Sequence, residues 1–346
     1  MRRGSWMAAC AVVAVGLCNC TESSAQAADA ALIEAAKKDG RVVWYTAQII
    51  NQVARPLADA FEAKYGIRVE AIRADVTDTI LRITTEAKAG HVQADVFDGT
   101  SPTPALKRAG LVMQWLPEAA AALPAQFVDR EGFWVANNIY VLTPVYNTQL
   151  VPRGSEPHDW NDLLDPKYKS KIAVSGLVSS SAGPGFAGVV LMDMGEEKGM
   201  DYLRRLSTQN ITNIQSSARA MVDQVMAGEF ALGLQGFNHQ PVISAAQGAP
   251  VDWIKWSPAL AVLSVASITK GAPHPNAAKL FLDFLISPDA QRIFADANYI
   301  TVDPNVPTKA KDLKPEVGGF RAIYMTPEEL DAVMPKWARI YNSIFK

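Results

Sequence analysis

The chain has 346 residues, of which 49% are hydrophobic and 8% aromatic, and its formal net charge at pH 7 is −2. That composition is typical of a globular protein, and the length allows two domains with separate cores. Charges of both signs are spread along the chain without a basic block, so nucleic acid is not an expected partner.

The first 27 residues have the pattern of a secretory signal peptide. Two arginines precede a short apolar run, Trp6 to Leu17, and the sequence A-Q-A that ends at Ala27 has small residues where signal peptidase requires them. The apolar run is too short to span a bilayer. We therefore expect a signal peptide over residues 1–27 and a periplasmic protein that is cleaved after Ala27.

The cysteines lie only in this predicted leader, at Cys10, Cys18 and Cys20. The mature chain would therefore contain neither a disulfide nor a reactive thiol, and its stability would come from burial of a core. Acylation at Cys18 or Cys20 would give a lipoprotein, which is the alternative to a free periplasmic form.

Strand and helix patterns alternate in the first part of the mature chain. Runs of β-branched and aromatic residues predict strands, and amphipathic periodicity predicts helices that end at a glycine. In chain order these are a strand at 41–47, a helix at 56–65, a strand at 67–73, a helix at 77–89 and a strand at 94–99. This order predicts an α/β fold with a mostly parallel sheet.

A second series of elements begins with a long strand pattern at 134–147, which Pro144 interrupts. Strands are also predicted at 171–178, 210–215, 231–235 and 260–268, and helices at 186–194, 200–206 and 276–286. Ser287 and Pro288 open a further helix. The sequence TPEE from Thr326 is a capping box, so the segment 304–346 is expected to be helical rather than a tail.

Residues 179–188, SSSAGPGFAG, contain a G-x-G-x-x-G sequence between a predicted strand and a predicted helix. A dinucleotide site would need an acidic residue at the end of the next strand, and the candidate strand at 210–215 has none. Serine hydroxyls and the free amides of a helix N-terminus suit a smaller anion. The alternative is that Ser180 or Ser181 only caps the helix and the glycines form a turn.

Four stretches resemble the periplasmic solute-binding proteins of ABC importers, in the branch that includes the ferric-iron-binding proteins. They are WYTAQ at 44–48, QADVFDG at 93–99, VYNTQLVPRGSEPHDWNDLLDPKYKSKIAVS at 145–175 and NAAKLFLDFLISPDAQRIFA at 276–295. The resemblance covers nearly all of the mature chain. It implies a type II periplasmic binding protein, in which two α/β lobes are joined by two crossing strands and a ligand binds in the interlobe cleft.

The resemblance also implies where the lobes begin and end. The crossing strands would be 134–145 and 260–268. Lobe 1 would contain 28–136 and 265–303, and lobe 2 would contain 137–264. The C-terminal helical segment, 304–346, is not assigned to either lobe.

One departure from the family concerns iron. Ferric-binding members have two adjacent tyrosines at the positions that correspond to Asn238 and His239, and the first-loop histidine is replaced by Ile49. No adjacent tyrosine pair occurs anywhere in this chain. A neutral imidazole and an amide do not supply phenolate donors, so a small organic anion, a carboxylate or phosphonate, is the predicted ligand. Ferric iron bound with a synergistic anion or as a chelate is the alternative.

The predicted ligand contacts follow from the resemblance and from the loops after the strands. The serines and first amides of 180–183 would hold the anionic group, with Thr77 opposite and the other side chains around the rest of the ligand. Thr77 could instead be a plain N-cap, and His239 a rim residue without a role. Arg73, just before Thr77, could pair with the anion or be a surface charge. The complete set is Ser180, Ser181, Ala182, Gly183, Thr77, Asn238, His239, Tyr140, Thr46 and Thr100.

Catalytic patterns are missing from the sequence. It contains no H-E-x-x-H, no G-x-S-x-G and no cysteine outside the leader, and its four histidines have no metal-ligand spacing. We therefore expect neither an enzyme nor a metal or cofactor site, with a periplasmic enzyme as the alternative. The expected partners are a small anionic ligand and an ABC permease, and the protein is expected to be a monomer.

Overall fold

Ten strands form one mixed sheet in the part of the chain that the computed structural model describes, residues 29–176 and 182–345. The strands are β1 (Arg41–Thr46), β2 (Arg68–Arg73), β3 (Val96–Gly99), β4 (Val135–Asn147), β5 (Ile172–Ser175), β6 (Thr212–Ile214), β7 (Leu232–Phe237), β8 (Val251–Trp253), β9 (Ala259–Ile268) and β10 (Ala322–Met325). Their order is β2-β1-β3-β9-β4-β7-β5-β6, with β10 paired to β9 and β8 paired to β4.

The α-helices that the structure describes are α1 (Ala30–Asp39), α2 (Arg55–Tyr65), α3 (Val76–Lys88), α4 (Pro102–Arg108), α5 (Gly183–Met194), α6 (Glu196–Ser207), α7 (Ala218–Met226), α8 (His239–Ala245), α9 (Pro275–Leu285), α10 (Pro288–Asp296), α11 (Pro315–Gly318) and α12 (Pro327–Ile344). Several predicted ends are confirmed. Gly66 closes α2 with a left-handed φ of 72°, and Thr326 and Glu329 form the capping box of α12. None of these helices is long and apolar enough to cross a membrane.

The two long strands β4 and β9 lie at the centre of the sheet and pair antiparallel, from Val135 opposite Ala266 to Leu142 opposite Leu260. On the β9 side lie β3, β1 and β2, of which β1 is parallel to both neighbours. On the β4 side, β5 is parallel to both β6 and β7. We call β1–β3 the first parallel set and β5–β7 the second. The predicted lobe boundaries stay a prediction.

The predicted break of β4 at Pro144 is wrong. The strand runs through this residue because the register with β7 shifts between Thr143 and Val145, which removes the need for the N–H that proline lacks. The carbonyl group of Pro144 accepts a hydrogen bond from the backbone N–H of Ile254, at 2.9 Å. A bulge therefore accommodates the proline without ending the strand.

A cluster of aromatic side chains lies in the core that packs against the first parallel set. The rings of Trp44 and Phe281 meet edge to face with centroids 5.1 Å apart. Phe61 contacts Phe281 at 5.0 Å and Phe284 at 5.4 Å in the same way. Full burial of each such side chain contributes roughly 1.5–3 kcal/mol. These contacts fix α2 and α9 against β1.

The glycines of SSSAGPGFAG allow close packing of α5, which begins at Gly183 rather than at the predicted Phe186. A Cβ atom at Gly183 would lie 2.6 Å from the ring of Tyr341, and a Cβ atom at Gly188 would overlap the ring of Trp337. Both aromatic residues belong to α12. These glycines therefore lie in a helix rather than in a turn, and they allow α12 to pack closely against it.

Helix α12 also contacts α4, which follows the first parallel set, and α6, which lies between β5 and β6 of the second. Arg108 of α4 pairs with Asp331 at 2.6 Å, and Lys336 pairs with Glu196 of α6 at 2.8 Å. Both pairs are exposed, and each contributes at most about 1 kcal/mol. The C-terminal segment that the sequence left unassigned therefore spans elements associated with both parallel sets.

Candidate functional site

A cleft of about 510 Å³ lies at the carboxyl ends of both parallel sets. On one side it is lined by residues that follow β1, β2 and β3, and on the other by residues that follow β6 and β7. Ligands of open α/β sheets bind at such positions, because the loops there leave strand and helix ends free to contact them. This cleft is the candidate functional site.

Four aromatic rings form the floor of the cleft. The imidazole of His239 lies 4.5 Å from the ring of Tyr299 and 5.6 Å from that of Tyr140, centroid to centroid. Phe237 lies 5.1 Å from Tyr140 and is half-buried, whereas the other three rings are nearly fully buried. The floor therefore offers an apolar surface with few exposed polar atoms.

The buried histidine is neutral in this setting. Burial, and to a smaller extent the positive charge of Arg219, lower the pKa of His239 from its usual 6.5 to about 3. Burial also raises the pKa of Tyr140 well above 10, so its phenol stays protonated. The floor can thus donate and accept hydrogen bonds without carrying charge.

The N-terminus of α3 faces the cleft but already carries negative charge. The carboxylate of Asp75 caps the helix by accepting a hydrogen bond from the backbone N–H of Asp78, at 2.9 Å. Asp78 adds a second carboxylate in the first turn. Two acidic side chains offset the positive end of the helix dipole. Arg73, exposed at the end of β2, is the cation on this side of the cleft.

The N-terminus of α7 faces the cleft from the other side and has no such compensation. Ser217 caps it, accepting from the backbone N–H of Ala220 at 3.2 Å, and its first turn contains no acidic residue. Arg219 lies in that turn, and its Nε donates to Asp223 at 2.8 Å. Nearby, Gln240 is 6% exposed, and its Oε1 atom has no hydrogen-bond partner. This end of the cleft suits an anion better than the α3 end.

Three of the predicted site residues line the cleft: Thr100, Tyr140 and His239. Two others are buried and bonded within the protein. The Thr46 hydroxyl donates to Asp98 at 2.9 Å, and the Asn238 side-chain amide donates to the carbonyl of Leu313 at 2.9 Å. For these two residues, the placement does not support the predicted contact with a ligand.

Thr77 lies exposed in the first turn of α3, and it is Asp75 that caps this helix, so the N-cap alternative for Thr77 is wrong. Its neighbours line the cleft, but Thr77 is not among the lining residues. Ala182 and Gly183 are fully buried at the start of α5 and are not in the lining either. Ser180 and Ser181 lie outside the described residues, and their contact with a ligand stays a prediction.

Several lining residues were missed from the sequence, namely Ser217, Arg219, Gln240 and Tyr299. A signal for the first two is present. The sequence QSSARAMVDQVM follows a predicted strand, puts a serine before an amphipathic run and has an arginine two residues later. Thr77 lies in the same kind of strand-to-helix pattern. Tyr299 carries no comparable local signal, because it follows α10 and reaches the floor only through the fold.

Named relatives of this chain include periplasmic binding proteins. The "Putative 2-aminoethylphosphonate-binding periplasmic protein" of Salmonella paratyphi A is 25% identical over 322 residues, which are 88% of this chain and 86% of the relative. AfuA from Actinobacillus pleuropneumoniae, solved with fructose-6-phosphate bound, matches with a TM-score of 0.73 at 25% identity, over 88% of this chain and 99% of that one. Iron-bound HitA from Pseudomonas aeruginosa has a TM-score of 0.68 at 19% identity, over 88% and 99%.

These structures share the type II periplasmic binding fold, so the predicted fold is confirmed. They are binding proteins rather than enzymes, and their periplasmic setting agrees with the predicted location. The predicted leader itself lies outside the described residues. Residues 56–317 match the family model described as bacterial extracellular solute-binding protein. The chain therefore belongs to the bacterial extracellular solute-binding proteins.

Proposed function

We propose that this protein is the periplasmic substrate-binding component of an ABC importer and that its cleft captures a small organic anion with a phosphoryl or phosphonyl group. One relative is named for 2-aminoethylphosphonate, and the structure of another, AfuA, contains bound fructose-6-phosphate. A third, which matches 41% of this chain, is named as a phosphoglycerate transport regulatory protein. The single observation that carries the proposal is that Arg73 and Arg219 line one cleft from opposite sides. Closure on an anion would bring a cation to it from each parallel set.

The anionic group would bind at the N-terminus of α7. The Ser217 hydroxyl, the free N–H groups of the first turn and the Arg219 guanidinium are donors there, and Arg73 would reach the group from the other side. Each hydrogen bond to a charged group contributes roughly 1.5–3 kcal/mol. Three to five such bonds would supply the total of about 8 kcal/mol that micromolar binding requires. Ser180 and Ser181 stay predicted additional contacts.

The carbon body of the ligand would lie on the aromatic floor. Phe237 offers the most exposed ring face, and His239 and Tyr140 can add neutral hydrogen bonds. The unpartnered Oε1 atom of Gln240 would accept a hydrogen bond from a hydroxyl or amino group of the ligand. A site of this kind would prefer an organic phosphate or phosphonate to inorganic phosphate.

The test has two steps. Native mass spectrometry of the protein purified from periplasm, without refolding, should reveal a releasable organic adduct that contains phosphorus. Calorimetry should then detect binding of 2-aminoethylphosphonate or fructose 6-phosphate, but not of ethylamine or fructose, which lack the phosphorus group. Loss of the Arg219 contact in Arg219→Met should weaken binding at least tenfold, because one charged contact of about 1.5 kcal/mol corresponds to that factor.

The matched control is Arg205→Met, which removes an exposed arginine from α6 outside the cleft and should leave affinity unchanged. Equal effects of the two substitutions would overturn the proposed site. Equal binding of the phosphorylated and unphosphorylated compounds would overturn the proposed ligand class. The mass of the secreted protein would also test cleavage after Ala27 and the monomeric state.

Ferric iron is the second candidate, and one observation favours it. Tyr140 and Tyr299, with ring centroids 5.8 Å apart in the cleft, are phenols that could become hard donors for Fe(III). Burial raises the pKa values of both phenols, which opposes formation of phenolates. An iron adduct with visible charge-transfer absorption, lost in Tyr140→Phe, would favour this candidate over the organic anion.

A further inference from the structure

A buried carboxylate lies beneath the cleft, at the end of β3. Asp98 is 1% exposed, and its Oδ1 atom accepts a hydrogen bond from the backbone N–H of Ala47 at 2.8 Å. Its Oδ2 atom accepts from the Thr46 hydroxyl at 2.9 Å, from Trp44 Nε1 at 3.1 Å and from Asn137 Nδ2 at 3.5 Å. The carboxylate therefore ties β3 to the end of β1 and to β4.

The connection continues through Gln48 to the cleft floor. The backbone N–H of Gln48 donates to the Thr46 hydroxyl oxygen at 3.0 Å. Its side-chain amide donates to Asn138 Oδ1 at 2.8 Å and to the Ser264 hydroxyl at 3.4 Å, and its Oε1 accepts from the Tyr140 hydroxyl at 3.0 Å. We call this set, with Asp98 and its four partners, the junction network. It joins β1 and β3 to the central strands β4 and β9.

The junction network determines the position of one wall and part of the floor. Ala47 and Ile49, on either side of Gln48, line the cleft, as does Tyr140. Asp98 itself does not line the cleft, so it acts only through these residues. A change in the hydrogen bonds that Asp98 can accept would therefore move the cleft surface that contacts the ligand.

All four partners of Asp98 are hydrogen-bond donors, so the ionised carboxylate, which only accepts hydrogen bonds, matches them better than the protonated acid, which has lost one acceptor site. Burial nevertheless raises its pKa to about 7, against the lowering effect of these hydrogen bonds. Its titratable neighbours are the phenols of Tyr140 on β4 and Tyr299 after α10. Opposite it on β9 lies Ala266. Charged side chains are not among the causes of the shift.

We propose, on the basis of the proposed function, that Asp98 is a positioning residue of the cleft. Its ionised carboxylate holds the turn after β1 and, through Gln48, the Tyr140 hydroxyl in the arrangement that binds the ligand. Protonation replaces one acceptor with a donor that faces four donors, and the turn loosens. The affinity of the importer's binding protein for its ligand therefore falls as the pH of the periplasm falls.

The first test uses the protein without ligand. In two-dimensional NMR between pH 5.5 and 8.5, the indole N–H of Trp44 and the amide of Ala47 should titrate together with a midpoint near 7. Asp98→Asn should abolish this titration. Asp283→Asn, which removes another carboxyl group whose pKa burial raises, should leave it unchanged. Independent midpoints for the two probes, or persistence of the titration in Asp98→Asn, would overturn the proposal.

A second variant covers the case in which Asp98→Asn does not fold. Thr46→Val keeps the shape of the side chain and removes one donor to the carboxylate. Because that hydrogen bond lowers the pKa of Asp98, the common midpoint should move upward. A purely structural role for Thr46 would change the stability of the protein without moving the midpoint, and that result would count against the proposal.

The third test measures ligand affinity as a function of pH by calorimetry with 2-aminoethylphosphonate and fructose 6-phosphate. If only the ionised form is competent, affinity at one pH unit below the midpoint should be about tenfold lower than at high pH. Asp98→Asn should bind more weakly at pH 8 and retain only the pH dependence of the ligand's own ionisation. The same pH dependence in both proteins would overturn the proposal. If neither compound binds, the proposed function fails, and the ligand-free titration alone decides whether Asp98 controls the cleft wall.

Discussion

The imidazole of His239 lies 4.5 Å from the phenol ring of Tyr299, with 34° between the two planes, at the floor of the cleft. By the resemblance drawn from the sequence, this position corresponds to one of the paired tyrosines of ferric-binding proteins. The histidine's pKa of about 3 means that it stays neutral at any pH a periplasm reaches. The floor of the cleft therefore carries no positive charge at this position.

The lowered pKa of His239 predicts a loss of stability in acid. The unfolded chain binds a proton at this histidine near pH 6.5, whereas the folded chain does so only near pH 3. The contribution of the neutral histidine is thus fully present above pH 6.5 and is lost as pH falls towards 3. At pH 5 the loss is roughly 2 kcal/mol. Urea unfolding of wild type and His239→Phe, compared at pH 5 and 7.5, measures this loss of stability.

The expected result is that wild type loses about 2 kcal/mol more than His239→Phe between the two pH values. His91→Phe, at an exposed position between α3 and β3, is the matched control and should follow wild type. Asp98 acts with the opposite sign, since its raised pKa favours the folded state at lower pH. It is common to all three proteins and therefore cancels in the difference. Parallel behaviour of wild type and His239→Phe would contradict the assignment of a neutral buried histidine.

The two acidic side chains at the N-terminus of α3 predict a gain in affinity when one of them is neutralised. Asp78→Asn removes a negative charge from the cleft lining and leaves the Asp75 cap in place, because Asp78 contributes to the cap only its backbone N–H. Affinity for a phosphorylated probe should rise by about two- to tenfold, as expected for a partly screened charge. Calorimetry at low and physiological salt measures the gain.

The gain should shrink as salt is added, because the charge is exposed to solvent. Asp59→Asn, on the exposed face of α2, is the matched control and should leave affinity unchanged. A loss of affinity in Asp78→Asn would instead mean that Asp78 binds a positively charged group of the ligand. That outcome would favour a ligand with an amino group, such as 2-aminoethylphosphonate, over one without it, such as fructose 6-phosphate.

Elements with strong local signals could be predicted from the sequence. Strand β1 and helix α2, with its left-handed cap at Gly66, occur within a residue or so of their predicted bounds, and so does the capping box of α12. The reason is that side-chain periodicity and caps depend on residues within a few positions of one another. The resemblance to a family supplied the order in which these elements assemble.

The placement of site residues could be predicted only in part, because orientation depends on turns and distant contacts. Asn238 and His239 are adjacent, yet His239 lines the cleft and Asn238 bonds to the carbonyl of Leu313, from a segment 75 residues later. No pattern in the loop between β7 and α8 indicates which of the two side chains faces the cleft. Similarly, Thr46 has the hydroxyl expected of a ligand contact, but that hydroxyl donates its hydrogen bond to Asp98.

The glycine-rich stretch shows how a distant element can account for a local motif. Gly183 and Gly188 have the spacing of a phosphate loop, but Tyr341 and Trp337 of α12 occupy the space a side chain would need.

We expect Gly188→Ala to lower the free energy of unfolding by about 1–3 kcal/mol through overpacking, although alanine is the better helix former. In a Trp337→Leu background the same substitution should cost much less, since the contacting ring is gone. Urea unfolding of the four proteins measures this coupling, and a phosphorylated probe should bind the stable variants with unchanged affinity. Additive effects of the two substitutions would contradict the packing contact between Gly188 and Trp337. A loss of affinity without a loss of stability would favour a ligand contact for the glycine.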